Sequence, residues 1–154
     1  MEIQNTSFDK IEWKLEGALL SGYGIIDNVN IKVILDPITY GSMNGINVTF
    51  AVLQGIKYEE SFTDKNTLIS AKIIGCVTNA IKSQLTNFNW DFISVISKDN
   101  IESRFKLYLR ISNRISRELG LSVLEIDKNK AKILVLSKLS NEELSLIKDK
   151  IENS

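Results

Sequence analysis

The sequence predicts an α+β domain, and three observations carry that prediction. Short runs rich in Val, Ile and Thr fill the first third of the chain, punctuated by glycines at 17, 22, 24, 41, 45 and 55 and by the single proline, Pro37. Such punctuation belongs to strands and turns. From Asn66 the apolar residues recur at three- and four-residue spacing, the mark of an amphipathic helix. Beyond it a doubly apolar strand, a second helix and a hairpin pattern follow. This order implies a mostly antiparallel or mixed sheet with two long helices packed on it and a short C-terminal helix.

Taken in order, residues 8–20 fit strand or helix equally. Ile31 to Leu35 reads as a strand ended by Asp36-Pro37, Gly41 to Gly45 as a loop, and Ile46 to Leu53 as the next strand. Ile56 to Phe62 is its expected hairpin partner across Gln54-Gly55. Ile69, Ile73, Cys76, Val77, Ala80, Ile81, Leu85 and Phe88 define a helix over 67–87, with Gly75 in its middle at a cost of about 1 kcal/mol relative to alanine. Close packing against a neighbouring element explains that glycine. Phe92 to Ile96 is apolar at successive positions, as a strand covered on both faces requires. Asp99 and Glu102 form a capping-box pattern opening a helix that runs to Gly120. Leu121–Ile126 and Ala131–Leu136 flank Asp127-Lys128-Asn129-Lys130 as a hairpin, and a helix starting at Ser140-Asn141-Glu142-Glu143 continues through Ile151.

A chain of 154 residues, 44 % of them hydrophobic, can bury a proper core as a single domain spanning 1–154. No apolar stretch reaches the roughly 20 residues a bilayer requires. The first residues have no basic lead into an apolar run, so a soluble intracellular protein is expected, without a signal peptide or membrane partner. Nineteen basic residues balance nineteen acidic ones, so any attraction to nucleic acid must be local. Histidine is absent and Cys76 is the lone cysteine. That composition excludes zinc sites of the usual kind and His-dependent hydrolases, and no cofactor or metal is expected. Glu59-Glu60 with Asp64 fails as a metal patch because adjacent strand residues point to opposite faces. Asp36, Asp91, Asp99 and Asp127 read as turn or cap residues. Gly22-Tyr23-Gly24 lacks the remainder of a phosphate loop, and Trp13 and Trp90 read as core anchors.

The four arginines, Arg104, Arg110, Arg114 and Arg117, all lie on the second long helix, whereas the fifteen lysines are spread along the chain. Arginine presents a planar fork of donors matched to carboxylate and phosphate. At about 100° per residue, Ile101, Phe105, Tyr108, Ser112, Ile115 and Leu119 share one side. Arg110, Arg114 and Arg117 share the other, joined by Lys106 and Ser103. Those three arginines and Lys106 are the candidate site for an anion or a partner, against the plain alternative of a solvated face. Arg104 falls on the apolar arc, where a charge requires a partner; stacking on Tyr108 and an acidic residue from a neighbouring strand would supply it.

Ser103-Arg104-Phe105-Lys106-Leu107-Tyr108, preceded by the 67–87 helix and the strand at 90–97, resembles a family of small phage-borne and bacterial α+β proteins of uncharacterised function. Their signature is a Ser-Arg-x-x-Leu-Tyr run entering a basic helix, and the resemblance spans about residues 47–137. It implies a virus or mobile-element origin, in keeping with the Asn-, Ile- and Lys-rich composition. It brings no catalytic residues and agrees with Arg104 and Tyr108 as a structural pair. The functional expectation is a non-enzymatic phage-type protein that binds itself or another protein, in the host cytoplasm or the virion. The alternative is an anion-binding module for nucleic acid or a nucleotide, built on the basic helix face. A carboxylate-metal phosphoesterase ranks third.

Overall fold

The computed structural model describes residues 10–54, 57–59, 71–97, 102–129 and 131–153, less the side chains of 54, 57, 59 and 102–104. Its elements are β1 (Glu12–Glu16), β2 (Leu19–Ile26), β3 (Val29–Tyr40), β4 (Met43–Gln54), β5 (Lys57–Glu59), α1 (Ala71–Leu85), β6 (Phe92–Ser97), α2 (Glu102–Leu119), β7 (Ser122–Lys128), β8 (Ala131–Ser137) and α3 (Asn141–Glu152). The strands make one sheet in the order β1-β2-β3-β4-β6-β8-β7, with β5 added to β4. Among these pairings only β4–β6 is parallel. A mixed sheet with helices packed on it is the α+β architecture that the alternating periods predict.

Tight turns set the register of the N-terminal strands. β1 and β2 close across Gly17-Ala18, with Gly17 at φ +66, and β3 and β4 across Gly41-Ser42, with Gly41 at φ +63. Between β2 and β3 the turn is Asp27-Asn28, whose φ values of 51 and 64 match the two positive central residues of a type I′ turn. The undecided stretch 8–20 thus holds β1 and the start of β2, with residues 8 and 9 outside the described set. Gln54 pairs with Lys57 as the predicted hairpin requires, and its continuation past Glu59 lies outside the described residues.

Several boundaries differ from the sequence reading. Asp127 and Lys128, expected in a turn, pair with Lys132 and Ala131 as part of β7, and the helix expected over 67–87 ends at Leu85, with residues 67–70 outside the described set. Strand β3 does not stop at Asp36-Pro37 but runs on to Tyr40, carrying both residues within it. Its pairing with β2 ends at Leu20–Leu35, so beyond that point one flank has no strand partner among the described residues, and proline is tolerated in a strand unpaired on one side. The loop expected over 41–45 shrinks to two residues, because Met43, Asn44 and Gly45 already pair with β3.

Burial follows the period-two alternation of the strands. Ile31, Val33 and Leu35 of β3, Ile46, Val48, Phe50 and Val52 of β4, Ile93 and Val95 of β6, and Leu134 and Leu136 of β8 face α1 and α2. On the other face Phe92, Ile133, Val135 and Ile126 meet Leu144, Ile147 and Ile151 of α3. Each fully buried aliphatic side chain contributes on the order of 1.5–3 kcal/mol. Strand β6 is therefore apolar on both faces for the reason its sequence suggests. Phe92 is fully buried, stacks on Tyr40 at 5.7 Å, and occupies the space where a side chain on Gly45 would stand.

The end of α2 is built as the sequence implies, and α3 opens on a cap that the sequence reading did not name. Gly120, at φ +68, ends α2, and the Leu121 amide reaches back to the Ser116 carbonyl at 2.8 Å while the Ser116 hydroxyl donates to Leu121 O. Ser140 and Glu143 form a capping box at the start of α3. The capping box expected at Asp99 lies outside the described residues. No helix among the described residues is long and apolar enough to cross a membrane.

Candidate functional site

Helix α2 lies over β6, β7 and β8 and runs beside α1. Its inner side buries Leu107, Tyr108, Ile111, Ser112, Ile115 and Ser116. Tyr108 is locked in place: its hydroxyl donates to the Phe50 carbonyl of β4 at 3.2 Å. That inner row fixes the rotation of the helix and hence which residues look outward. Lys106, Arg110, Asn113 and Arg117 are all exposed and recur at spacings of four, three and four residues. They form one straight row about 16 Å long at 1.5 Å per residue.

Arg114 leaves that row. Its guanidinium lies across Gly75 of α1, 3.3 Å from where a β-carbon would stand, and its Nε donates to Glu118 Oε2 at 3.0 Å. The other carboxylate oxygen of Glu118 accepts from Lys82 Nζ of α1 at 2.7 Å. Glu118 thereby joins the two helices through two cations, and its carboxyl is held below the ordinary value of 4.5 by Lys82 first and Arg114 second. Gly75, tolerated mid-helix at a cost in propensity, makes room for an arginine of the neighbouring helix. Of the four residues named from sequence, Lys106, Arg110 and Arg117 are brought together on the outer row and Arg114 is assigned to the seam between α1 and α2. Arg104 sits in the first turn of α2 with its side chain outside the described residues, and so does its expected contact with Tyr108.

The remaining candidates have structural positions. Asp91 Oδ2 accepts from the Asn44 amide at 2.8 Å, while the Asp91 amide donates to Asn44 O at 2.7 Å, fastening the start of β6 to β4. Asp127 faces Lys132 at 3.3 Å across the β7–β8 pair. Trp13, Trp90 and Cys76 are half-buried against the main core. Gly22 and Gly24 lie in β2, where the Ile11 and Trp13 side chains occupy the space above Gly22. Glu60 and Asp64 fall outside the described residues. Among the described residues no group of three or more acidic or cysteine side chains could hold a metal.

A second cluster went unread in the sequence. On the sheet face opposite α1 and α2, Tyr23 of β2 donates to Glu16 Oε1 of β1 at 2.7 Å. Lys32 and Lys14 approach the same carboxylate at 3.6 and 3.8 Å, and their ammonium groups stand 5.2 and 4.7 Å from the Tyr23 ring centroid. Tyr58 meets Tyr23 edge-on at 5.5 Å. Hydroxyls of Ser21 and Tyr23, in that order, hold the Glu16 carboxyl below 4.5, and Tyr23 followed by Glu16 holds the Lys32 ammonium above 10.5. The signal was present in the alternation of residues 21, 23 and 25 with 30, 32 and 34, but it required the Asp27-Asn28 turn to set the register.

These shifts, like the raised Lys132 beside Glu125 and Asp127, stabilise the charge each group already carries at neutral pH. General acid–base catalysis asks for the reverse, a pKa drawn toward the working pH. Chemically, the outer row of α2 can attract and fork-bind anionic groups, whereas in the Tyr23 cluster the two ammonium groups already share the Glu16 carboxylate. Comparison of the chain with family models, curated proteins and solved structures finds no significant match.

Proposed function

We propose that the chain is a non-enzymatic interaction protein of the phage-borne type that its Ser103–Tyr108 run resembles, acting in the host cytoplasm or in the virion, and that an acidic partner protein docks on the outer row of α2. One observation carries this reading. Arg110 and Arg117 stand exposed and make no ion pair with any described residue, while the nearby acid, Glu118, is committed to Lys82 and Arg114. Two rigid donor forks on one rigid helix favour carboxylate-rich surfaces.

A photo-crosslinking residue at Asn113, in the middle of the row, tests it. Crosslinking from 113 in lysate of the natural host should capture a defined partner, and the double variant Arg110→Glu/Arg117→Glu should lose it. A capture unchanged by that charge reversal, or equally strong from a control position on α3 such as Glu142, rejects the assignment. The second reading, nucleic acid or nucleotide on the same row, is favoured by the match between guanidinium and phosphate. It requires affinity that falls with salt, with a shallower slope once Arg110 and Arg117 are neutralised. Arg114→Ala separates the two kinds of arginine: it loosens the α1–α2 seam and leaves either binding mode in place.

A further inference from the structure

Strand β1 lies at the edge of the sheet and has a partner, β2, on one side only among the described residues. Edge strands expose unpaired backbone groups that another strand can complete, and proteins usually blunt them. This one is not blunted by proline or a bulge, and Leu15 within it is 78 % exposed. The sequence of the edge is Lys10-Ile11-Glu12-Trp13-Lys14-Leu15-Glu16. Laid antiparallel against itself about Trp13, it sets Lys10 opposite Glu16, Ile11 opposite Leu15, Glu12 opposite Lys14, and Trp13 opposite Trp13. Every charged pair is then of opposite sign and every apolar residue meets an apolar one, the cross-strand pairings that stabilise a sheet.

No neighbouring register does this. Centring on Lys14 opposes Lys14 to itself and Glu12 to Glu16, and centring on Glu12 opposes Glu12 to itself and Lys10 to Lys14. Nor does the other edge of the sheet: β7 centred on Glu125 sets Glu125 against itself and Val123 against Asp127. A two-fold axis perpendicular to the sheet keeps the helices of both copies on the same side. Ile11 and Trp13 lie on that side, and both line a groove of about 420 Å³ against α1, with Cys76, Asn79, Ala80 and Ser83 on its far wall. The Trp13 register places the exposed Leu15 beside Ile11 of the second copy, at the mouth of that groove.

We propose that β1 pairs antiparallel with β1 of a second copy in the Trp13-centred register, joining two sheets into one continuous sheet across a two-fold axis. The ligand of this edge is the same edge. It is independent of the α2 row, which lies over the other end of the sheet.

Charge reversal tests the register. Glu12 and Lys14 are exposed, and although Lys14→Glu also removes the 3.8 Å approach of Lys14 to Glu16, Lys32 and the Tyr23 hydroxyl still hold that carboxylate, so variants at both should fold, which circular dichroism verifies. Sedimentation equilibrium of the full chain should show a dimer. Lys14→Glu and Glu12→Lys should each raise the dimer Kd by roughly tenfold or more, since each places two like-charged pairs at the axis. The double variant Glu12→Lys/Lys14→Glu should restore the wild-type Kd, and an equimolar mixture of the two single variants should form a heterodimer that neither forms alone. A wild-type chain that stays monomeric at the highest attainable concentration, a dimer indifferent to Lys14→Glu, or a double variant that fails to recover would each overturn the proposal.

Discussion

Strands β6 and β8 are covered on both faces, by α1 and α2 on one and by α3 on the other, whereas β1 and β2 carry a helix on one face only among the described residues. The covered half is held by interdigitated aliphatic side chains and by Phe92 filling the space above Gly45. In the open half the exposed face is closed by a carboxylate, two ammonium groups and two tyrosine rings. The difference teaches where this molecule can spare surface. A strand buried on both sides has no group left to offer, while an edge strand with one polar face retains both its backbone and its charges.

The sharpest way to break that contrast is Phe92→Ala, which empties the covered half. It should cost about 3–5 kcal/mol in denaturant unfolding; a loss under about 1 kcal/mol would mean the ring is not central to the α3-side core. Gly45→Ala pushes a methyl into the same ring and should cost about 1–3 kcal/mol. Gly75→Ala runs the other way. There the new methyl meets only the flexible, half-exposed Arg114 guanidinium, which can shift, so the gain in helix propensity should raise stability by up to about 1 kcal/mol. Parallel unfolding curves for the two glycine variants check the opposite signs.

Smaller effects appear as pH dependence. The Glu118 carboxyl is lowered in the folded chain, so the stability it adds is present above its ordinary 4.5 and is lost as pH falls below that value. Glu118→Gln should therefore lower Tm at neutral pH, and the gap to the parent protein should close as the pH falls below 4.5. In the open half, Tyr23→Phe should hardly move Tm but should raise the Glu16 pKa toward 4.5, which carboxyl NMR titration reads directly. An unchanged Glu16 titration would show that the Tyr23 hydroxyl is not what holds that carboxylate.

Much of this organisation was legible before any coordinate. The periods that mark α1 and β6, the stop at Gly120, the β7–β8 hairpin and the last helix after Ser140 are local signals, and local signals survive folding. Pro37 misled because proline marks a break only where both flanks of a strand are paired, and whether β2 extends alongside is a tertiary fact. Arg114 misled for a related reason. A helical wheel places it about 40° from Arg110, close enough to count as the same stripe, and only the bare surface of Gly75 on another helix draws it away. The alternating charges of residues 10–16 were equally visible, but they acquire meaning only once β1 is known to be an edge.

The parallel pairing of β4 with β6 also sets the timing of folding. β1 to β4 are joined by two-residue turns and can zip together as they are made, yet the residues that cover their apolar face, from Ile73 to Leu85, come later in the chain. At translation rates of about 5–20 residues per second, the stretch between Gln54 and Leu85 takes roughly 2–6 s to synthesise. For those seconds Ile31, Val33, Leu35, Ile46, Val48, Phe50 and Val52 form a hydrophobic sheet surface with no lid. An uncovered apolar sheet face is the condition under which nascent chains aggregate or bind chaperones, and in this chain that condition ends only with the synthesis of α1.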